Sequence, residues 1–194
     1  MASRRFSHAI AEGDGISVVA AVEEPDAARA AESQRAEALV VNGDPARLRE
    51  ATALPILWRA NAVVDRAAEV ADAVTVTLPD EDEDHDPARR RHEEALALGL
   101  DCAVEVGSEE ELERALELLD PEIFLLAPPP DGEEERLELV LELLAAVPAG
   151  KLAIADLAVT TEDEVHELER AGVDAVIVHA ADVSPLAGEA PPEV

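Results

Sequence analysis

Eight short apolar runs, amphipathic helical segments alternating with them, and near-continuous Val, Ile, Leu and Ala within the runs predict a closed (β/α)8 TIM barrel. Strands separated by helices run parallel, and parallel strands buried on both faces lose the polar-apolar alternation of a half-solvated sheet. Eight such units suit closure better than an open doubly wound sheet. At 194 residues and 48% hydrophobic, the chain is long enough for one well-buried domain and short for two. A single domain is expected over residues 1–194, compact, with the barrel over about 14–182.

The strands are expected at residues 16–22 (ISVVAAV), 37–42 (EALVVN), 55–60 (PILWRA), 72–78 (DAVTVTL), 101–106 (DCAVEV), 122–127 (EIFLLA), 151–156 (KLAIAD) and 174–180 (DAVIVHA). Helices fill the intervals at 26–35, 45–52, 64–70, 87–97, 109–119, 133–146 and 162–171, where Ala, Glu, Leu and Arg dominate. Ser108 with Glu111 three residues on is the clearest helix start, a capping-box pattern. Two stretches depart from the alternation. Residues 79–87, PDEDEDHDP, make an acidic loop expected to be solvated, and AADVSPLAGEAPPEV after the last strand holds too much Pro and Gly for a full closing helix. A short helical turn and a disordered tail over about 186–194 are expected there. The short or missing final helix leaves an apolar strip beside the first and eighth strands, to be covered by the segment around Phe6 to Ile10 or by another subunit.

The chain carries 45 acidic and 15 basic residues, a formal charge of −30. Such a surface repels nucleic acid and anionic lipid, since binding either brings like charges together instead of releasing counterions. It fits a solvated exterior suited to solubility or to high intracellular salt. Aromatic content is 2% with no tyrosine, so base stacking and aromatic cages are not expected. No apolar run reaches membrane-spanning length and no signal-peptide core follows the N-terminal arginines, so no membrane contact and a cytoplasmic location are expected. The single cysteine, Cys102, agrees with a reducing compartment. Cys102 and Trp58 are expected to face the helix layer, and His85, His92 and His166 to be solvated. Lys151 is the only lysine; every other basic residue is arginine.

Glu105, a carboxylate among apolar neighbours at the end of its strand, is the leading candidate functional residue, because barrel chemistry is built at the C-terminal strand ends. The order of motifs around it resembles the indole-3-glycerol phosphate synthase family. RFSHAIAEGDGISVVAAV is similar to that family's lead-in helix and first strand, LPILWRANAVVD to its third strand and following turn, LGLDCAVEVGSEEELERAL to its fifth strand and helix, and AGVDAVIV to its eighth strand. The likeness covers residues 6–181. It implies a carboxy-lyase of tryptophan biosynthesis, which closes an indole ring from a phosphorylated anilino-deoxyribulose with loss of carbon dioxide and water. That chemistry needs a general acid, a carboxylate and a phosphate cradle.

Matched position by position, the resemblance places the family's catalytic lysine of the third strand on Arg59 and the following aspartate on Ala60. The Glu-x-Lys after the first strand falls on Ala21 and Glu23. Glu105 keeps the fifth-strand glutamate, whereas the sixth-strand asparagine becomes Ala127. The seventh-strand Glu-Ser-Gly turn becomes Asp156, Leu157 and Ala158, and the phosphate-binding glycine of the eighth becomes His179. Catalytic roles would therefore fall to Glu105 and Arg59, and ligand contacts to Glu23, Asn42, Asn61, Asp156, His179 and Asp182. No metal-ligand spacing is present, and neither metal nor cofactor is expected.

Three functions remain open at this point. One is a barrel without ring-closing activity that acts as a small-molecule-binding, regulatory or partner protein. Another is an active synthase with a rearranged site. The third is an enzyme of other chemistry, with Glu105 as base and Arg59 anchoring a small anionic metabolite. A homo-oligomer or a protein partner is compatible with each.

Overall fold

The computed structural model describes residues 5–11, 15–59, 64–80, 83–129, 133–157, 159, 161–179 and 181–186. Apolar runs that avoid water on both faces satisfy their backbone groups by pairing with one another, and here they do so in a ring. The strands are β1 (Ser17–Ala21), β2 (Ala38–Val41), β3 (Ile56–Trp58), β4 (Ala73–Thr77), β5 (Asp101–Val106), β6 (Ile123–Leu126), β7 (Leu152–Asp156) and β8 (Ala175–Val178). Each is parallel to the next, and β8 returns to β1 to close the barrel. The helices are α1 (Arg5–Ala11), α2 (Pro25–Ser33), α3 (Ala46–Arg49), α4 (Val64–Val70), α5 (Asp86–Ala97), α6 (Glu109–Leu118), α7 (Glu133–Ala146) and α8 (Glu162–Ala171).

Strand alternation divides the core into two layers. Val18, Trp58, Val74, Cys102, Val104, Phe124 and Val176 point outward and pack under the helices with Ala28, Leu48, Ala67, Leu112, Val140 and Leu168. Val19, Val40, Leu57, Ile123, Leu125, Ile154 and Ile177 point inward with four alanines, Ala38, Ala73, Ala103 and Ala175. The alanines leave room at the barrel axis, and Phe6 and Ile10 of α1, both buried, belong to this inner cluster. Polar bonds fix the plug in register: Asp101 accepts from the Ser7 backbone N–H at 2.8 Å and from its hydroxyl at 3.0 Å. Helix α1 is therefore a stopper in the N-terminal end of the barrel, not the cover beside β1 and β8 that the sequence suggested. That side is covered by the residues after β8, where Val183 and Leu186 are buried and the Val183 N–H bonds the Gln34 side chain at 2.9 Å. Among the described residues, only a turn at 184–186 follows β8; the expected tail beyond it lies outside them.

A recurring device ties the strands together at the same end. An acidic residue precedes each even-numbered strand: Glu37, Asp72, Glu122 and Asp174. In three of the four, the acid's own N–H donates to a carbonyl of the preceding strand while its carboxylate accepts from the N–H of that same residue. The pairs are Glu37 with Val18, Asp72 with Ile56, and Asp174 with Ala153, with carboxylate bonds of 3.0, 3.0 and 2.7 Å. Glu122 takes the fourth equivalent register position, opposite Cys102. The carboxylates of Glu37, Asp72 and Asp174 each satisfy an N–H at the start of a strand that would otherwise be buried without a partner. Asp72 also binds the Arg49 guanidinium at 2.7 Å.

Several local expectations are corrected. Helix α3 is one turn, because Arg49 reaches the carbonyls of Thr52 and Leu54 and the Thr52 hydroxyl accepts from the Leu54 N–H, bending the chain toward β3. Helix α5 begins at Asp86, one residue before its expected start and inside the expected acidic loop; residues 81–82 lie outside the described residues. Ser108 caps α6 as expected, but Glu111 bonds the Gly107 N–H, and the full capping box belongs to Thr161 and Glu164 of α8. His92 is buried, not solvated, and burial lowers its pKa.

If α1 is a structural stopper, Phe6→Ala costs about 3–5 kcal/mol, the range for truncating a buried aromatic. Asp72→Ala costs about 1–3 kcal/mol through the orphaned Ile56 N–H. Urea unfolding followed by Trp58 fluorescence checks both; an unchanged midpoint for Phe6→Ala refutes the stopper.

Candidate functional site at the C-terminal mouth

All eight strands point the same way, so their last inward-facing residues converge at one end. Arg59 follows β3 and its N–H still bonds the Val41 carbonyl at 2.8 Å, which holds its side chain in the inward series with Leu57. Glu105 is the penultimate residue of β5, Asp156 the last of β7, and His179 follows β8. The fold brings these four together.

The Arg59 guanidinium lies between the two carboxylates. Its Nε and Nη2 donate to Glu105 Oε2 and Oε1 at 3.0 and 2.7 Å, a forked pair, while Nη1 donates to Asp156 Oδ2. The other Asp156 oxygen lies 2.7 Å from His179 Nε2. Arg136, in the first turn of α7, donates to the Asp156 backbone carbonyl at 2.9 Å. Side-chain exposure falls to 10% at Asp156 and rises to 49% at His179, so the histidine is the solvent-facing end of the chain of contacts.

Burial alone would weaken both charges. At Arg59 burial opposes the charged form, but the hydrogen bonds and charges of Glu105 and Asp156 outweigh it and raise the pKa above its ordinary value. At Asp156 burial favours the neutral acid, and bonds from His179 and Arg59 overcome it to lower the pKa. Taken as formal charges, the guanidiniums of Arg59 and Arg136 balance the carboxylates of Glu105 and Asp156. Among the described residues, no group of three or more His, Cys, Asp or Glu side chains is placed to hold a metal ion.

The other candidates stand apart from this cluster. Glu23 accepts from the Asn42 backbone and side-chain amides and from the Gly43 N–H at 3.0–3.2 Å, closing the β2 turn instead of facing Arg59. Asp182 is exposed and bonds the Ser184 N–H and hydroxyl. Asn61 lies outside the described residues. Lys151 sits at the opposite end, its ammonium 2.6 Å from Asp120 Oδ1. Sequence reasoning missed Arg136. The available signal was its place in the first turn of a helix, since helix starts and strand ends share one rim of a (β/α)8 barrel. A cleft of about 390 Å³ opens beside the cluster, lined by Thr77, Glu105, Gly107, Ser108, Glu111 and Ala127 among others.

The pH dependence of stability follows from Asp156. Its folded pKa lies below the unfolded value, so its contribution is complete above roughly pH 4–5 and disappears as pH falls through the folded pKa. The difference in urea midpoint between wild type and Asp156→Asn is therefore expected at neutral pH and shrinks below about pH 4. Arg59→Ala destabilises by less than the roughly 3–5 kcal/mol of a fully buried pair, because its side chain keeps 22% exposure.

Curated relatives of matching sequence are indole-3-glycerol phosphate synthases. That of Polaromonas naphthalenivorans (strain CJ2) is 40% identical over 90 residues, 45% of this chain and 34% of the relative. That of Geobacillus sp. (strain WCH70) is 27% identical over 144 residues, 68% of this chain and 52% of the relative. That of Variovorax paradoxus (strain S110) is 36% identical over 96 residues, 48% of this chain and 36% of the relative. The matches thus span about a third to a half of the length of these relatives. No family model matches the chain. In sequence the chain is similar to indole-3-glycerol phosphate synthases over part of their length, and its closed ring of eight parallel strands is a (β/α)8 barrel.

Proposed function

We propose that this barrel lacks the ring-closing lyase reaction and acts as a small-molecule-binding, regulatory or partner protein. The observation that carries the reading is the state of Arg59. By resemblance it stands where the family has a catalytic lysine, and three of its guanidinium nitrogens are bonded to Glu105 and Asp156. A general acid for ring closure must give up its proton near neutrality, and a guanidinium held more tightly than usual does not. Glu105, which by resemblance keeps the family's glutamate, has both carboxylate oxygens committed to Arg59.

The same geometry disfavours the family's phosphorylated substrate. Asp156 and His179 stand where, by resemblance, the family has its Glu-Ser-Gly turn and phosphate-binding glycine. A phosphate entering there meets two carboxylates and an Arg59 guanidinium already bonded to both.

Incubating the protein with the anilino-deoxyribulose phosphate and following indole fluorescence tests this reading. No product is expected, and Arg59→Lys alone restores none, because the carboxylates that trap the side chain remain. Losing a single oxyanion-type donor already costs about 100 to 1,000-fold. Indole formation that Glu105→Gln abolishes overturns the proposal.

A further inference from the structure

Part of the positive charge of this chain is used inside the fold. Arg49 binds Asp72 and two carbonyls at the N-terminal rim, Arg59 is enclosed by the mouth, and Arg136 donates to the Asp156 carbonyl. Arg91 donates to the Thr75 carbonyl, and Lys151 bonds the carbonyl and carboxylate of Asp120. Among the described residues, the ion pairs exposed on both sides are Arg29–Asp26, Arg66–Asp44 and Arg89–Asp86. The 15 basic residues could not balance 45 acidic ones even if all lay outside.

The fold then stacks the surplus acids on neighbouring helix turns. On α6, Glu110, Glu113 and Glu117 are exposed at spacings of three and four; on α7, Glu138 and Glu142 repeat the spacing; on α8, Asp163 and Glu167 do so again. Helices α6 and α7 pack side by side, which brings two of these rows onto adjoining helices. Carboxylates three or four apart on a helix lie about 5–6 Å from one another, inside the screening length of about 10 Å at 0.1 M salt and outside that of about 3 Å at 1 M. Unfolding relieves their repulsion by spreading the charges, so dilute solution favours the unfolded chain.

We propose that the folded state depends on dissolved cations acting as diffuse counterions: the barrel is built for concentrated salt and loses stability as salt is withdrawn. The acidic exterior is then a condition on folding, separate from whatever the mouth binds. Any monovalent cation of similar concentration serves, because the repulsion is spread over several helices instead of being focused at one site.

Thermal unfolding of the full chain, followed by circular dichroism in KCl and in NaCl from about 0.1 to about 2 M, tests this. The expected result is a Tm that rises by more than about 10 °C over that range, equally in both salts. A second protein carrying Glu110→Gln, Glu113→Gln, Glu117→Gln, Glu138→Gln, Glu142→Gln and Glu167→Gln separates screening from general salting-out. Its Tm in dilute salt lies above that of the wild type, and its rise with salt is shallower. A flat wild-type profile overturns the proposal. So does an equal slope in the two proteins, or a gap of several degrees between potassium and sodium, which would mark a specific ion site.

Discussion

Closure of the parallel ring is the constraint from which the rest follows. Once β8 pairs with β1 there is no edge and no register freedom, and the side-chain alternation of every strand is fixed relative to one axis. Inward positions at one end must be small or must be filled; inward positions at the other end must be polar and must find partners. Four alanines and the Phe6 and Ile10 stopper answer the first demand, and the Arg59 cluster answers the second.

The two ends solve their polar problem differently. At the N-terminal rim Glu37, Asp72 and Asp174 each bond a backbone N–H of the strand beside them, a local arrangement that uses short-range geometry and stabilises the ring. At the mouth the bonds run across the axis, between residues 46 and 97 positions apart in sequence. A guanidinium suits that role because its planar fork can meet two carboxylates at once, and a lysine ammonium offers no such fork. The feature that makes Arg59 a good cross-brace, a guanidinium that keeps its proton, is the one that makes it a poor proton donor.

The sequence by itself determined the fold class, because apolar runs without polar alternation, separated by amphipathic helices, leave parallel strands buried on both faces as the physical solution. It also placed Arg59, Glu105, Asp156 and His179 at strand ends, since each lies in or just after an apolar run. Tertiary structure alone decided the rest. Glu23 and Asn42 satisfy the same strand-end criterion, yet they bond each other because the β1 and β2 ends are neighbours, while Arg59 reaches across to β5 and β7. His92 looked solvated in a charged helix and is buried, because helix α5 turns that face inward beside Ala88 and Ala95. Phe6 and Ile10 announced a buried face but not which cavity they fill. That depended on the alanines at the bottom of four strands spread over more than a hundred residues, a volume that exists only when the ring is closed.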